Sequence, residues 1–483
     1  GFVDNTRDRL SYYVYDSANR QRYTVRTINT TVSGGNLTQT VYVTQTNYDG
    51  VGRVTDSYRY AKQMTLTVAA SGSPSLATMN TLVGAAANQD STNDQHDHSQ
   101  YDGAGRLQVF ADAGGYTQSY TYDGLGNKKT YTNQNNVTWT YTYDAAGRLS
   151  EQDSPQTTLY VQSTGSSPAP TQITAAAVTK FTYDGLGNVK TRNEGYTSSG
   201  TFTSMRITSY GYDALGRQNL TTYPSVNVYN STTDVSAGYI GVHTTPQVST
   251  SAVSYDAFGN ATVSRDVGGQ YSYKVYNTLG QLLYDIDADG YVTGYQYNAF
   301  GDQTSTTRYA NKLSAGHAVG QPYSASEVVS RLTAGAADRA ITTAYDQLDR
   351  KTQVTQPSIY AYDAASQTAV TTSPATSYQY DSFGDLVLQQ QLKSVVSGTS
   401  NYTSTYSYYD RLGNQVATID PMGYLTQYQY SATGKVTDKK EWATAISVYS
   451  TAGFTAPIYV AASTNNQTAT VYYQSNFTQG TSG

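Results

Sequence analysis

The feature that most constrains this chain is a short turn signal, Tyr-Asp-x-x-Gly, which recurs along most of the sequence. Clear copies begin at Tyr101, Tyr122, Tyr143, Tyr183, Tyr212 and Tyr255. Further copies begin at Tyr48, Tyr276, Tyr297, Tyr380 and Tyr409, weaker ones at Tyr15, Tyr345 and Tyr430, and Tyr362-Asp363 opens a decayed one. Neighbouring copies at 101, 122 and 143, at 255, 276 and 297, and at 409 and 430 are 21 residues apart. The unit divides again. Asp102, Asp112, Asp123, Asn133 and Asp144 follow one another at steps of 10 and 11, as do Asp256, Asp266, Asn277, Asp287 and Asn298. Asp410, Asp420 and Ser431 keep the same beat. One such step is a strand plus a turn, the spacing of antiparallel all-β proteins.

Turn chemistry explains the letters. Aspartate at the first turn position can accept a backbone N–H two residues on. Glycine three residues later adopts a positive φ at little cost. This pairs Asp102 with Gly105, Asp123 with Gly126, Asp144 with Gly147, Asp184 with Gly187 and Asp213 with Gly216. It also pairs Asp256 with Gly259, Asp381 with Gly384 and Asp410 with Gly413, and places Gly280 and Gly301 in turns opened by Asn277 and Asn298. Before the turn, Tyr120 and Tyr122, Tyr141 and Tyr143, Tyr295 and Tyr297, and Tyr428 and Tyr430 alternate. In a strand, i and i+2 share a face, so these rings are expected to form cross-strand ladders.

Composition agrees with that reading. The chain has 483 residues, with 49 Tyr against 9 Phe, and only 13% are charged. Mean hydropathy is −0.53. Aliphatic side chains are too few to fill a core between two sheets. The expected fold is therefore all-β: antiparallel hairpins forming one long coiling sheet, a hollow shell or tube of β-solenoid-like character. Its stability should be nearly additive over neighbouring repeats. Net charge is −5, which is no nucleic-acid footprint. With no cysteine, disulfides and thiolate metal sites are excluded. No apolar run reaches the roughly 20 residues of a membrane span. The chain opens on Gly1 and is expected to be a piece of a longer protein.

Where the spacing exceeds 21, the extra residues fall after the second turn of the unit, near 60–95, 155–178, 224–250, 310–340, 357–376 and 391–405. The rule predicts that all of them leave one edge of the sheet. Ser324 and Glu327 form a capping-box pattern that predicts a short helix over 324–333.

Repeated Gly-[Arg/Asn]-[Leu/Val], Asp-x-x-Gly and Tyr-x-Tyr-Asp-x-x-Gly strings resemble the YD repeats of the rearrangement hotspot (Rhs) family. That family includes bacterial polymorphic toxins, shell components of Tc insecticidal toxins, wall-associated proteins and teneurins. The resemblance spans about residues 12–436. It implies a sheet spiralling into a hollow shell, secreted or at the cell surface. It also implies a partner: an enclosed toxin or cargo domain, or further copies of the chain. The sequence thus divides into an array over 1–436 and, over 437–483, either a continuation of the array or the end of the fragment. Family shells end in a self-cleaving Asp-Pro-x-Gly core. Here the nearest string, Asp420-Pro421-Met422-Gly423, sits on the ordinary second-turn beat and is expected to be a turn.

Candidate chemistry is sparse. Asp285, Asp287 and Asp289 resemble the start of a calcium loop, but position twelve is Gln296, where a bidentate Glu is needed. His96 and His98 share a strand face, yet two ligands do not make a zinc site; His243 and His317 lie in other insertions. Gly-Leu-Gly-Asn strings lack the following helix of a phosphate loop. Tyrosine rows could stack on cell-surface glycans, the rival to packing within the sheet. Asn36, Asn136, Asn230 and Asn401 open N-x-[Ser/Thr] strings, expected by chance in a Thr-rich chain. No enzyme, cofactor or metal is expected. Gly126→Val should destabilise its own hairpin by forcing a β-branched residue into positive φ, while hydrogen exchange in distant repeats stays unchanged.

Overall fold

The computed structural model describes residues 9–33, 35–69, 72–161, 170–229, 244–363, 365–442 and 445. The described residues are all-β apart from two short α-helices and one 3₁₀ turn. Each repeat turn closes the same way. The Asp123 N–H reaches the Asn127 carbonyl at 2.9 Å, and the Gly126 N–H reaches the Asp123 carbonyl at 3.0 Å. This is a type I turn followed by a residue in the left-handed region, the bulged three-residue hairpin. The ladder accordingly slips by one residue beside the motif tyrosine, as between Thr142 and Tyr143.

The chain forms two compact units, Gly1–Tyr116 with Thr343–Gly483, and Thr117–Thr342. In the first, strand Arg9–Tyr15 pairs with Gln21–Ser33, then come Asn36–Tyr48, Val54–Arg59 and Gln95–Tyr101, each antiparallel to its neighbour. On its other side Arg9–Tyr15 pairs with Val436–Glu441, with Tyr12 opposite Asp438. From there the sheet runs through Leu425–Tyr430, Gln415–Ile419, Thr399–Tyr409 and Leu386–Val396 to Ala375–Tyr380 and Lys351–Thr355. The expected β-solenoid-like coiling does not describe this edge, because the first and last described strands are hydrogen-bonded neighbours. Repeat periodicity cannot show this, since both partners carry ordinary strand patterns. The strand also carries the array past 436; most of 437–483 lies outside the described residues.

The second unit runs in sequence order from Thr117–Tyr122 through Lys128–Thr132, Thr138–Tyr143, Leu149–Val161, Thr171–Tyr183, Val189–Ser198 and Thr201–Tyr212. It continues through Gln218–Thr222 and Thr250–Tyr255 to Gln303–Lys312, which pairs with residues 339–342. In each unit, successive antiparallel hairpins put the Tyr-Asp-x-x-Gly turns on one edge and the second turns on the other. The long connections leave the second edge.

The described residues of those connections form further strands and helices. Residues 155–178 and 391–405 lengthen ladder strands, giving partners as long as Leu149–Val161 and Thr171–Tyr183. Residues 357–376 hold a separate hairpin, Ile359–Asp363 with Thr368–Thr372, and the 224–250 segment holds Val226–Tyr229 with Thr244–Gln247. The predicted helix is present as Ala325–Arg331. Ser324 Oγ accepts the Glu327 N–H at 3.1 Å, but the Glu327 carboxylate turns to His317 and Arg331. A second helix, Leu76–Gly84, is capped by Ser75 and was not anticipated, because Thr78 stands where a capping box has Glu.

Aliphatic packing forms at two places where an insertion covers the sheet. Helix Leu76–Gly84 and strand Met64–Ala69 bury Val25, Val41, Val43, Leu66 and Met79 with Tyr12 and Tyr23. Helix Ala325–Arg331 sets Val328 against Val263, Val275, Ile286 and Val292. Ala417, Ile419, Leu425 and Trp442 make a third cluster. Overall composition hides these clusters because few positions supply them. Leu66 is 1% exposed, so Leu66→Ala should lower the unfolding free energy by about 2–5 kcal/mol in urea titration.

Candidate functional site

The repeat turn is where the chain concentrates its chemistry. Asp123 Oδ1 accepts two N–H groups of its own turn, from Leu125 at 3.0 Å and Asn127 at 2.8 Å. Asp144 does the same with Ala146 and Arg148, both at 2.9 Å. The second oxygen takes the side chain four residues on: Asn127 Nδ2 at 3.0 Å, or Arg148 Nε at 2.7 Å. Asp102, Asp213 and Asp346 meet arginine in this way, and Asp184, Asp256 and Asp410 meet asparagine. Asp381 differs only in that residue four is Asp385, whose N–H it accepts at 2.9 Å.

Every predicted turn glycine lies in the left-handed region: Gly105, Gly126, Gly147, Gly187, Gly216, Gly259, Gly280, Gly301, Gly384 and Gly413 span φ +76° to +99°. The weaker copies place Asn19 and Asp349 there, at +60° and +59°, residue types that tolerate this region.

Neighbouring turns are joined by the motif tyrosine. Tyr143 Oη donates to the Lys128 carbonyl at 2.9 Å, Tyr183 to Leu149 at 2.7 Å, and Tyr212 to Val189 at 2.8 Å. In each case the acceptor lies just beyond the preceding turn. Tyr48, Tyr101, Tyr255, Tyr297, Tyr380, Tyr409 and Tyr430 repeat the contact. Within the first unit, Tyr15 makes it to Val436 at 2.9 Å, so the first motif engages the last as any repeat engages its predecessor.

Arginine and asparagine are not equivalent behind the glycine. Asparagine closes its own turn. Arginine also lies over the next motif ring, as Arg53 over Tyr101 at 4.5 Å, Arg148 over Tyr183 at 4.3 Å and Arg217 over Tyr255 at 4.5 Å. Such cation–π contacts contribute about 0.5–1 kcal/mol at exposed sites.

The alternating tyrosines divide the work. Tyr120 stacks on Tyr131, centroids 5.2 Å apart, and Tyr131 on Trp139 at 5.5 Å. Tyr141 holds the Lys128 ammonium over its ring at 4.3 Å. Tyr143, Tyr297 and Tyr430, the second members of three of the pairs, act through their hydroxyls. Tyr122, the second of its pair, and Tyr295 and Tyr428, the first of theirs, are half-buried. The most exposed tyrosine rings among the described residues are elsewhere, at Tyr116, Tyr160, Tyr360 and Tyr362.

The other sequence candidates resolve as follows. Asp287 Oδ1 accepts the Asp289 and Tyr291 N–H groups, an ordinary second turn, while Asp285 pairs with Lys274 at 2.7 Å. Asp420 Oδ1 likewise accepts from Met422 and Tyr424. Asp363, in the decayed copy, is 2% exposed and also accepts from Ser397 and Gly398, tying its small hairpin to a neighbouring turn. His317 stacks on Tyr323 and bonds Glu327. His243 and Asn230 lie outside the described residues. His96 and His98 do share a face, and both contact Asp56 on the adjacent strand. Sequence reasoning missed Asp56, since nothing local announces that 54–59 pairs with 95–101 across an insertion.

No family model matches the chain, and no curated protein matches it. Among solved structures it is similar to the crystal structure of TcdB2-TccC3 without the hypervariable C-terminal region, at 14% identity and a TM-score of 0.28. That match covers 88% of this chain and 22% of the other. A Photorhabdus luminescens Tc holotoxin pore matches at 14% identity and a TM-score of 0.27, over 87% of this chain and 22% of that one. A porin-like protein from Bacteroides uniformis matches at 8% identity and a TM-score of 0.14, over 63% and 94%. The chain spans about a fifth of the length of the Tc toxin chains. At these scores the matches carry no argument about fold or function.

The turn carboxylates make a pH prediction. The Arg106 amide and guanidinium hold the Asp102 carboxyl below the usual range, the Arg148 guanidinium and amide do so for Asp144, and the Asn127 amide for Asp123. The folded state therefore binds fewer protons than the unfolded chain, whose aspartates titrate near about 3.9. This stabilisation is complete above that pH and is lost as pH falls through the lowered values. Circular dichroism melts should show a flat stability at neutral pH and a drop below about pH 4.

Proposed function

We propose that this chain is a non-catalytic wall segment of a large extracellular Rhs-like shell protein, and that the wall encloses a cargo polypeptide such as a toxin domain. The observation that carries this reading is the lateral lock. One tyrosine–carbonyl contact is repeated from motif to motif and joins Tyr15 to Val436 in the first unit. The motif aspartates are spent on backbone N–H groups, so the repeated residues build surface instead of presenting a reactive centre. Resemblance of the motif to YD repeats supplies the class of cargo.

A second reading is a self-assembling filament or adhesin whose partner is another copy of the chain. It is favoured by the apolar tips of the motif turns. Leu125, Leu186, Leu215, Phe258, Leu279 and Phe300 are 73–82% exposed along one edge of the second unit. Exposed apolar rows of this kind mark interaction sites.

Negative-stain electron microscopy of the purified protein, combined with sedimentation velocity, separates the two. Hollow particles of fixed size support the wall. Fibres that disperse on Leu125→Glu with Phe258→Glu overturn it and support the filament. Solid particles without a lumen overturn both.

A further inference from the structure

Strands Val54–Arg59 and Gln95–Tyr101 are antiparallel neighbours, with Asp56 opposite His98 and Tyr58 opposite His96. Between them residues 60–94 add strand Met64–Ala69, which pairs antiparallel with Asn36–Tyr48, and helix Leu76–Gly84. Alternation along each strand puts Asp56, Tyr58, His96 and His98 on one face. His96 Nε2 lies 2.9 Å and His98 Nδ1 2.8 Å from the same Asp56 Oδ1. The three side chains are 41%, 37% and 19% exposed, so the group is open to solvent. It is the one set of three or more metal-ligating side chains, among the described residues, whose donor atoms gather within 4.8 Å.

We propose that Asp56, His96 and His98 bind a divalent transition cation of the zinc class, which clips together the two strands at the base of the 60–94 insertion. Two imidazoles and one carboxylate are a borderline donor set. It suits Zn²⁺, Co²⁺ or Ni²⁺, whereas Ca²⁺ needs six to eight oxygens. Ligands on a cation with bonds of about 2.0–2.1 Å stand about 3 Å apart, so the donors need only part slightly to admit it. Three protein ligands leave the remaining positions to water.

The surroundings orient the ligands. The Tyr58 ring stacks on His96, centroids 4.1 Å apart and planes 6° from parallel, which sets the imidazole plane. Gln100 Nε2 lies 3.3 Å from His98 Nε2. Amide oxygen and nitrogen exchange by a half-turn, so Gln100 can accept the Nε2 proton when Nδ1 holds the cation, the usual support of a ligating histidine. Asp97 points to the other face and accepts the Ala113 N–H at 2.9 Å, so it does not compete. Closing the base of a long insertion constrains the unfolded chain most. The clip would act where the covering helix joins the sheet.

The test uses the whole chain, freed of metal with EDTA and titrated near neutral pH with ZnCl₂ by calorimetry and with CoCl₂ by visible absorption. The expected result is one saturable cation per chain and a cobalt d–d band. His98→Ala and Asp56→Asn should each weaken binding at least about tenfold, Gln100→Ala about tenfold, and His317→Gln not at all. Metal-free circular dichroism checks the fold of each variant. Should His98→Ala unfold, His96→Asn and Gln100→Ala decide the matter. Absence of saturable binding by the unaltered chain overturns the proposal. So does binding that Asp56→Asn and the histidine variants leave intact, which would mean Asp56 only bridges two histidines by hydrogen bonds.

Discussion

An aspartate carboxylate that satisfies two N–H groups of its own turn is the interaction on which the rest of this structure depends. Within Asp-x-x-Gly, Oδ1 replaces solvent for the i+2 and i+4 amides, and Oδ2 holds the following side chain in place. The glycine then turns the backbone through a conformation that β-branched residues resist. The result is a hairpin of constant geometry. Constant geometry returns each motif tyrosine to the same place, where its hydroxyl meets the carbonyl just past the preceding turn. One such contact contributes only about 0.5–1.5 kcal/mol, but the array repeats it.

Stability has a second and less regular source. The ladders alone leave their faces half-covered, and aliphatic clusters appear where an insertion folds back on the sheet. Residues 60–94 build the largest around Val25, Val41 and Leu66, and 310–340 build another around Val328 and Ile286. The insertions that look like low-complexity additions in composition thus add Leu66, Met79 and Val328 to these clusters and pack on the aliphatic residues of the ladder strands. The hydrogen-bonded edge between Arg9–Tyr15 and Val436–Glu441 adds a constraint between residues far apart in sequence. A quasi-one-dimensional array has no counterpart to it.

Much of this was legible beforehand. The all-β class, the hairpin beat, the turn aspartates and glycines, and the helix behind Ser324 all follow from local rules whose partners lie within a few residues. The tyrosines were legible as a face but not as a division of labour. Tyr141 and Tyr143 look alike in sequence, yet one takes a lysine over its ring and the other donates a hydroxyl to Lys128. The helix at 76–84 has no distinctive local signature, because Ser75 and Thr78 at its start are residue types common throughout this Thr-rich chain.

By itself, then, the sequence determined the repeating unit, because an Asp-Gly turn and an alternating strand are local consequences of side-chain chemistry. Only the tertiary structure decided which distant segments meet. It set Asp56 against His96 and His98 across the 60–94 insertion, Ser73 against Asp438, and the first strand against the last. Those pairings have no local signature: any strand edge offers the same N–H and C=O groups. The choice among edges is made by the summed register and burial of the assembled sheet.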